Sequence, residues 1–456
     1  MLAALVCSIA VSLLAADDWS RFRGPNGSGI ATGNSSYPIE FARDRNMLWR
    51  TPVRPGKSSP VLTDRHLFLT AFDDQTLYTQ CFDRATGKLL WERGEPLAHK
   101  LGTNALNHPA AISPVTDGSN VYVFFKDLGL LSYTPAGKLR WRVPLGPFTN
   151  SQGLGAAPIL ARDMIILQVD QLEDSYLAAF AIKDGKQRWK VAREESESWG
   201  TPLLWKGDTI VTVGANQIGG HRITDGKRVF TFPGASPSMV ASPILDDANN
   251  ILYAFGYGYA TSLPFERLLE RSDKNKDGKL SPDEYGTLNV LRAAGQYMGN
   301  RDGTVTAHEW DLWNRHVQGP SGLIALDLKP AQPKLLWRYE KGFDSVIPSP
   351  LLHAGILYSV RNGGILTAFD VRTGEVTKTA RIPGALGGYA ASPTFAAGHL
   401  YICSEEGKVA VLKPGPQWDL VQLNDLKEDI FATPAFSRGV IFIRTAEALY
   451  AFGLKN

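Results

Sequence analysis

A small residue followed by proline recurs along the chain, as Ser59-Pro60, Ser113-Pro114, Ala157-Pro158, Thr201-Pro202, Ser242-Pro243, Ser349-Pro350, Ser392-Pro393 and Thr433-Pro434. Successive prolines lie 54, 44, 44, 41, 107, 43 and 41 residues apart. A period just above roughly 40 residues is the length of one four-stranded propeller blade. Eight openings therefore predict eight blades, and the interval of 107 residues predicts an insert in the fifth.

The interior of each unit agrees with this. After the proline comes a short apolar strand, then a β-branched and aromatic one such as Asn120 to Phe124 or His399 to Cys403, then a third strand such as Leu177 to Ile182. A turn follows, and a tryptophan stands four residues past its glycine in Gly87/Trp91, Gly137/Trp141 and Gly185/Trp189. Gly226/Phe230 keeps an aromatic, and Pro333/Trp337 keeps the tryptophan without the glycine. The glycine supplies the positive φ of a tight reversal, and the aromatic is a wedge of the right size to pack one blade on the next. The last unit ends without its fourth strand. Asn46 to Val53, with Trp49 at the tryptophan position, is expected to complete it and close the ring.

This pattern resembles the quinoprotein-type, PQQ-like β-propeller repeat family, over about Asn46 to Phe452 apart from the insert. Asp18-Trp-Ser-Arg-Phe-Arg-Gly-Pro-Asn-Gly-Ser-Gly29 is similar to the entry segment of secreted planctomycete-type members. The resemblance implies an all-β, eight-bladed fold like that of the lipoprotein of the outer-membrane barrel-assembly machinery. The family also contains pyrroloquinoline-quinone-dependent alcohol and sugar dehydrogenases, which is the alternative reading. The alcohol dehydrogenases carry a vicinal cysteine pair. This chain has none, and no general base and cofactor constellation can be placed on it. A binding or scaffolding role is expected, without bound quinone.

Forty-eight basic and 45 acidic residues give a net charge of +3, which offers no footprint for nucleic acid or an anionic membrane. The first sixteen residues, MLAALVCSIAVSLLAA, read as a secretory signal, the other reading being a buried N-terminal helix. They predict a secreted or periplasmic monomer with no transmembrane segment after cleavage and a protein or envelope partner. Cys81 and Cys403 would then remain, as buried free thiols. The expected organisation is a signal at 1–16, an entry segment at 17–45 and a propeller at 46–456, interrupted at 262–320 by a helical EF-hand pair.

Within that insert the hydrophobic period changes from two to about 3.6. Pro264 to Arg271 predicts an entering helix, and an exiting helix is expected from Asp283 to Leu291. Between them Asp273, Asn275, Asp277 and Ser281 offer side-chain oxygens, Lys279 its carbonyl and Glu284 a carboxylate, with Gly278 at the sharp turn and Leu280 at the apolar eighth position. That is the ligand order of an EF-hand calcium loop. A second copy offers Asn300, Asp302, Thr304, Thr306 and Glu309, followed by a helix from Ala307 carrying Trp310 and Trp313. Its first position is Met298, a soft thioether that cannot replace a carboxylate for a hard cation. One calcium ion is expected, at a Kd of roughly 10⁻⁴ to 10⁻³ M, with the second site weak or absent.

A weaker expectation concerns the loops entering the blades, which tend to gather at one end of a propeller channel. They carry Asn104, Asn107, His108, Asn150, Ser151, Gln152, Trp199, Asp344 and Tyr389.

Overall fold

The strands assemble as the repeat predicts, into eight four-stranded antiparallel sheets. The computed structural model describes residues 19–97, 107–150, 152–234, 236–258, 263–317, 319–341 and 347–454. The expected signal, together with Cys7, Asn104, Ser151 and Asp344, lies outside the described residues. Blades 1 to 7 follow chain order. In the eighth, Met47–Pro52 pairs antiparallel with Ala448–Gly453, so the two ends of the chain share one sheet and the ring closes. Cys81 and Cys403 are free and buried, and burial pushes each thiol up to about 12.

Burial explains the sequence pattern strand by strand. In blade 3, Met164–Val169 and Tyr176–Ala181 are buried on both faces and read as continuous apolar runs, whereas the outer strand Gln187–Ala192 is largely exposed. The tryptophans sit in these outer strands and dock on the next blade. The Nε1 groups of Trp91, Trp141, Trp189 and Trp337 donate to the carbonyls of Pro135, Ile182, Ile223 and Val371, at 2.7 to 3.1 Å. Each ring lies against the neighbour's turn. A Cβ at Gly137, where φ is 75°, would come within 2.6 Å of the Trp91 indole, so this glycine is required by both its backbone and its neighbour.

The small residue before each proline also has a task. The N–H of Ser59 donates to Ser113 Oγ, Ala157 to Thr201, Thr201 to Ser242, Ser242 to Ser349, Ser349 to Ser392, Ser392 to Thr433 and Thr433 to Ser59, all at 2.9 to 3.0 Å. Hydroxyl-to-backbone bonds thus link the inner ends of neighbouring blades around the channel. The circle is interrupted where Ala157, without a hydroxyl, follows Ser113. A serine or threonine fits there because it is small enough for the axis and supplies an acceptor for an otherwise buried N–H.

The entry segment lies across the inner strands of five blades. Leu62 N–H donates to Trp19 O and Thr116 N–H to Ser20 O, Asn26 exchanges two bonds with Leu204, and Ile30 pairs in parallel with Phe395. Arg21 and Arg23 send Nη2 to the carbonyls of Pro202 and Pro350, both at 2.7 Å. Both guanidinium groups are buried, which lowers Arg21 to about 10 and Arg23 to about 9.

The insert leaves blade 5 between its second and third strands, Ile251–Gly256 and Gly322–Asp327. Its described residues hold four helices, α1 (Phe265–Ser272), α2 (Pro282–Tyr285), α3 (Asn289–Tyr297) and α4 (Ala307–Val317). The single exiting helix expected from Asp283 to Leu291 is instead broken: α2 stops at Gly286, whose φ of 56° no helix accommodates, and α3 begins afresh. Phe265, Leu268, Leu280, Tyr285, Leu291, Ala294, Val305 and Trp310 form a small core of its own. No described helix is long and apolar enough to cross a membrane.

Candidate functional site

Two regions carry candidate chemistry, the loops of the insert and the open end of the channel. In the first loop, Asp273 Oδ1 accepts from Lys276 N–H at 2.7 Å and Oδ2 from Gly278 N–H at 3.0 Å. Asn275 Oδ1 accepts from Asp277 N–H and Asp277 Oδ1 from Lys279 N–H, both at 2.9 Å. Glu284 folds back so that Oε2 accepts from the Ser281 N–H and hydroxyl at 2.9 Å and Oε1 from Lys274 N–H at 3.0 Å. Those bonds hold its carboxyl down to about 2, so it is ionised throughout the physiological range.

The second loop repeats this wiring. Asn300 Oδ1 accepts from Asp302 N–H, Asp302 Oδ1 from Thr304 N–H, and Glu309 Oε2 from the Thr306 N–H and hydroxyl. Its first position differs: Met298 is buried, and the two N–H groups that Asp273 serves in the first loop go to main-chain carbonyls, Arg301 to Met298 O at 3.2 Å and Gly303 to Gly295 O at 3.1 Å. The loops are joined by reciprocal main-chain bonds between Leu280 and Val305, at 2.9 and 2.8 Å.

Calcium fits the first loop in its donor set, which is all oxygen: the side chains of Asp273, Asn275, Asp277, Ser281 and Glu284 and the Lys279 carbonyl. Among the described residues, no three His, Cys, Asp or Glu side chains converge as ligands. A site here would therefore draw on amide, hydroxyl and carbonyl oxygens as well as carboxylates.

At the channel, the loops that enter the blades do gather at one end, but only some of the expected residues meet. Asn107, Gln152 and Trp199 line one cavity of about 500 Å³, together with Phe22, Glu197, Tyr257 and Trp313. Phe22, Gly155, Ile347 and Ala390 are shared with an adjoining cavity of about 390 Å³, which Lys57, Glu405 and Phe431 also line. The other three that are described, His108, Asn150 and Tyr389, are spent on structure. His108 packs edge-on against Phe72, accepts from Ala110 N–H, and is lowered to about 4, chiefly by burial. Asn150 donates to Asp170 O, and the buried Tyr389 hydroxyl donates to Ala385 O.

The loop that carries Glu197 and Trp199 is held from beneath. Arg193 forms a two-point pair with Asp170 at 2.6 and 3.0 Å, Ser198 Oγ donates to the same carboxylate at 2.5 Å, and Trp199 N–H donates to Met239 O. Glu195 beside them is pushed up to about 7 by burial. Trp199 Nε1 donates to Gly153 O at 2.8 Å, and the indole lies over Gly155, where a Cβ would come within 2.9 Å of it.

Sequence reasoning missed Phe22, Glu197 and Tyr257, because nothing in a single chain marks which loop residue reaches the axis. It assigned Trp313 to pairing within the insert. The residue does pack on that core, and it also lines the cavity. Among the described residues, the charged side chains lining the two halves are Glu197, Glu405 and Lys57, and Lys57 lies over the Phe431 ring at 3.9 Å. Walls with two carboxylates and one cation do not fit a quinone that bears several carboxylates of its own.

The family model described as outer membrane protein assembly factor BamB matches residues 39–151 and 80–263. The match spans residues 39–263, and over that stretch the chain is similar to this PQQ-like propeller repeat family. Among solved structures, BamB from Moraxella catarrhalis superposes with a TM-score of 0.56 at 13% identity, over 89% of this chain and 100% of that one. The computationally designed Ika8 protein gives 0.55 at 11% identity, over 92% and 100%. The C-terminal WD40 domain of Sif2 gives 0.50 at 10% identity, over 90% and 98%. At these identities the likeness is one of fold. No curated protein matches the chain by sequence.

Proposed function

We propose that this propeller is an exported, calcium-binding protein of the cell envelope that works by binding a partner or ligand, as a scaffold rather than as a catalyst. One observation carries the calcium reading: the loop 273–284 is wound with its all-oxygen donor set in order, Glu284 is held ionised, and the loop is paired through Leu280 with a second loop that has lost the first acid. Asp273, Asn275, Asp277, Lys279, Ser281 and Glu284 would hold the ion, which would neutralise Asp273, Asp277 and Glu284 and lock the insert against blade 5. The BamB-like fold and the apolar N-terminal run support the envelope location.

Calorimetric titration of the full chain tests this. One calcium ion at sub-millimolar to millimolar Kd, lost in Glu284→Gln, is the expected result. Two equivalent ions, or binding unchanged in Glu284→Gln, would refute it.

A further inference from the structure

The larger cavity has a definite chemical character. Its aromatic residues come from four separate parts of the chain: Phe22 from the entry segment, Trp199 from the loop before blade 4, Tyr257 from the end of the second strand of blade 5, and Trp313 from α4. Trp199 is a fixed plate, pinned by Gly153 O and by Gly155 beneath it. Between the aromatics lie polar groups of both kinds. Thr201, Ser242, Ser349 and Ser392 each accept a main-chain N–H, and their hydroxyl protons are left to donate. Asn107 donates its amide to the Gly153 and Leu154 carbonyls, which leaves Oδ1 as an acceptor.

We propose that this cavity binds a short neutral oligosaccharide. Flat apolar rings suit the C–H faces of a pyranose. A mixed set of donors and acceptors suits hydroxyls, which act as both. The volume of about 500 Å³ lies within the range of small-molecule sites, roughly 300–1,000 Å³. Among the described residues, the only charged side chain lining it is Glu197, which disfavours an anionic ligand. A second, hydroxyl-lined half of about 390 Å³ continues the channel and gives a further sugar unit room.

The inference goes beyond the calcium reading and rests chiefly on the propeller, with α4 supplying one wall. It is tested on the full chain with calcium present, by calorimetry and tryptophan fluorescence against maltotriose, cellotriose, mannotriose and chitotriose. At least one should bind, and Trp199→Ala should weaken it about tenfold or more. Trp199→Phe, which keeps a plate, should retain most of the affinity and controls for loss of folding, and Trp313→Ala should weaken binding less. Absence of binding by all four sugars, binding indifferent to both alanine variants, or preferential binding of tetramethylammonium or of pyrroloquinoline quinone would each overturn the proposal. Calcium is titrated separately on the same samples, so loss of one activity does not mimic loss of the other.

Discussion

The two loops of the insert share nearly every hydrogen bond, and the one side-chain ligand position whose chemistry changes is the first. In the first, Asp273 satisfies the turn N–H groups of Lys276 and Gly278 with its own carboxylate, and Lys274 to Lys279 are exposed. In the second, Met298 is buried, and the Gly295 and Met298 carbonyls take over those donors. Gly303 O is in turn fixed by the Tyr285 hydroxyl at 2.7 Å. One loop is thus arranged around oxygens that a cation could share, and the other has converted the same winding into a self-sufficient piece of packing. A loop can keep its ligand-binding geometry after losing its ligand chemistry, because the turn bonds come from main-chain N–H groups present in both.

The sharpest way to break this contrast is to neutralise the closing glutamate in each. Glu284→Gln should abolish calcium binding, whereas Glu309→Gln should leave the titration unchanged. Equal losses would show that both loops bind. Next in size, Leu280→Ala removes a fully buried side chain at the bridge between the loops and should cost the insert about 2–4 kcal/mol. Limited proteolysis confined to the insert, with the propeller intact, is the expected signature, and blade cleavage at the same rate would contradict an independent insert core.

Met298→Asp should raise the stoichiometry from one ion to two while destabilising the calcium-free insert by about 1–3 kcal/mol, since a carboxylate replaces a buried thioether. A stoichiometry still at one would mean that the Gly295 and Tyr285 bonds, not the missing acid, close the second loop. Chemical denaturation of the calcium-free protein should register a loss of about 1 kcal/mol in Glu309→Gln, for the weakened bonds to Asn300 and Thr306.

The smallest effect is in pH. The Glu284 carboxyl is lowered to about 2 by the bonds from Ser281, so its contribution is present above its unfolded value near 4.5 and is lost only as pH falls through the folded value. Carboxyl NMR should find Glu284 titrating well below the ordinary glutamate value of 4.5, and a titration midpoint above 4 would show that the loop is not wound as described.

Much of the fold was legible because each blade must bury the same surfaces. The small-residue–proline openings, the tryptophan four residues past the turn and the unfinished last unit located eight sheets and the closing strand Met47–Pro52. The loop register of the insert was legible for the same kind of reason, since Leu280 and Val305 occupy the same apolar eighth position in each loop. The break at Gly286 was not, because a glycine inside an apolar period is compatible with either a helix or its end.

The cavity shows where single-chain reasoning ended. Asn107, Gln152 and Trp199 were on the list of loop residues, but so were His108, Asn150 and Tyr389, which the structure uses for packing and loop closure. The sequence by itself determined the periodic features, namely blade number, ring closure, the site of the insert and the donor order of its first loop, because these rest on spacing along the chain. Only the tertiary structure decided that the entry segment underlies the channel, that Phe22, Trp199, Tyr257 and Trp313 share one cavity, and that main-chain carbonyls replace the missing acid of the second loop. Those depend on residues more than a hundred positions apart arriving at one axis, and on carbonyl directions that spacing does not encode.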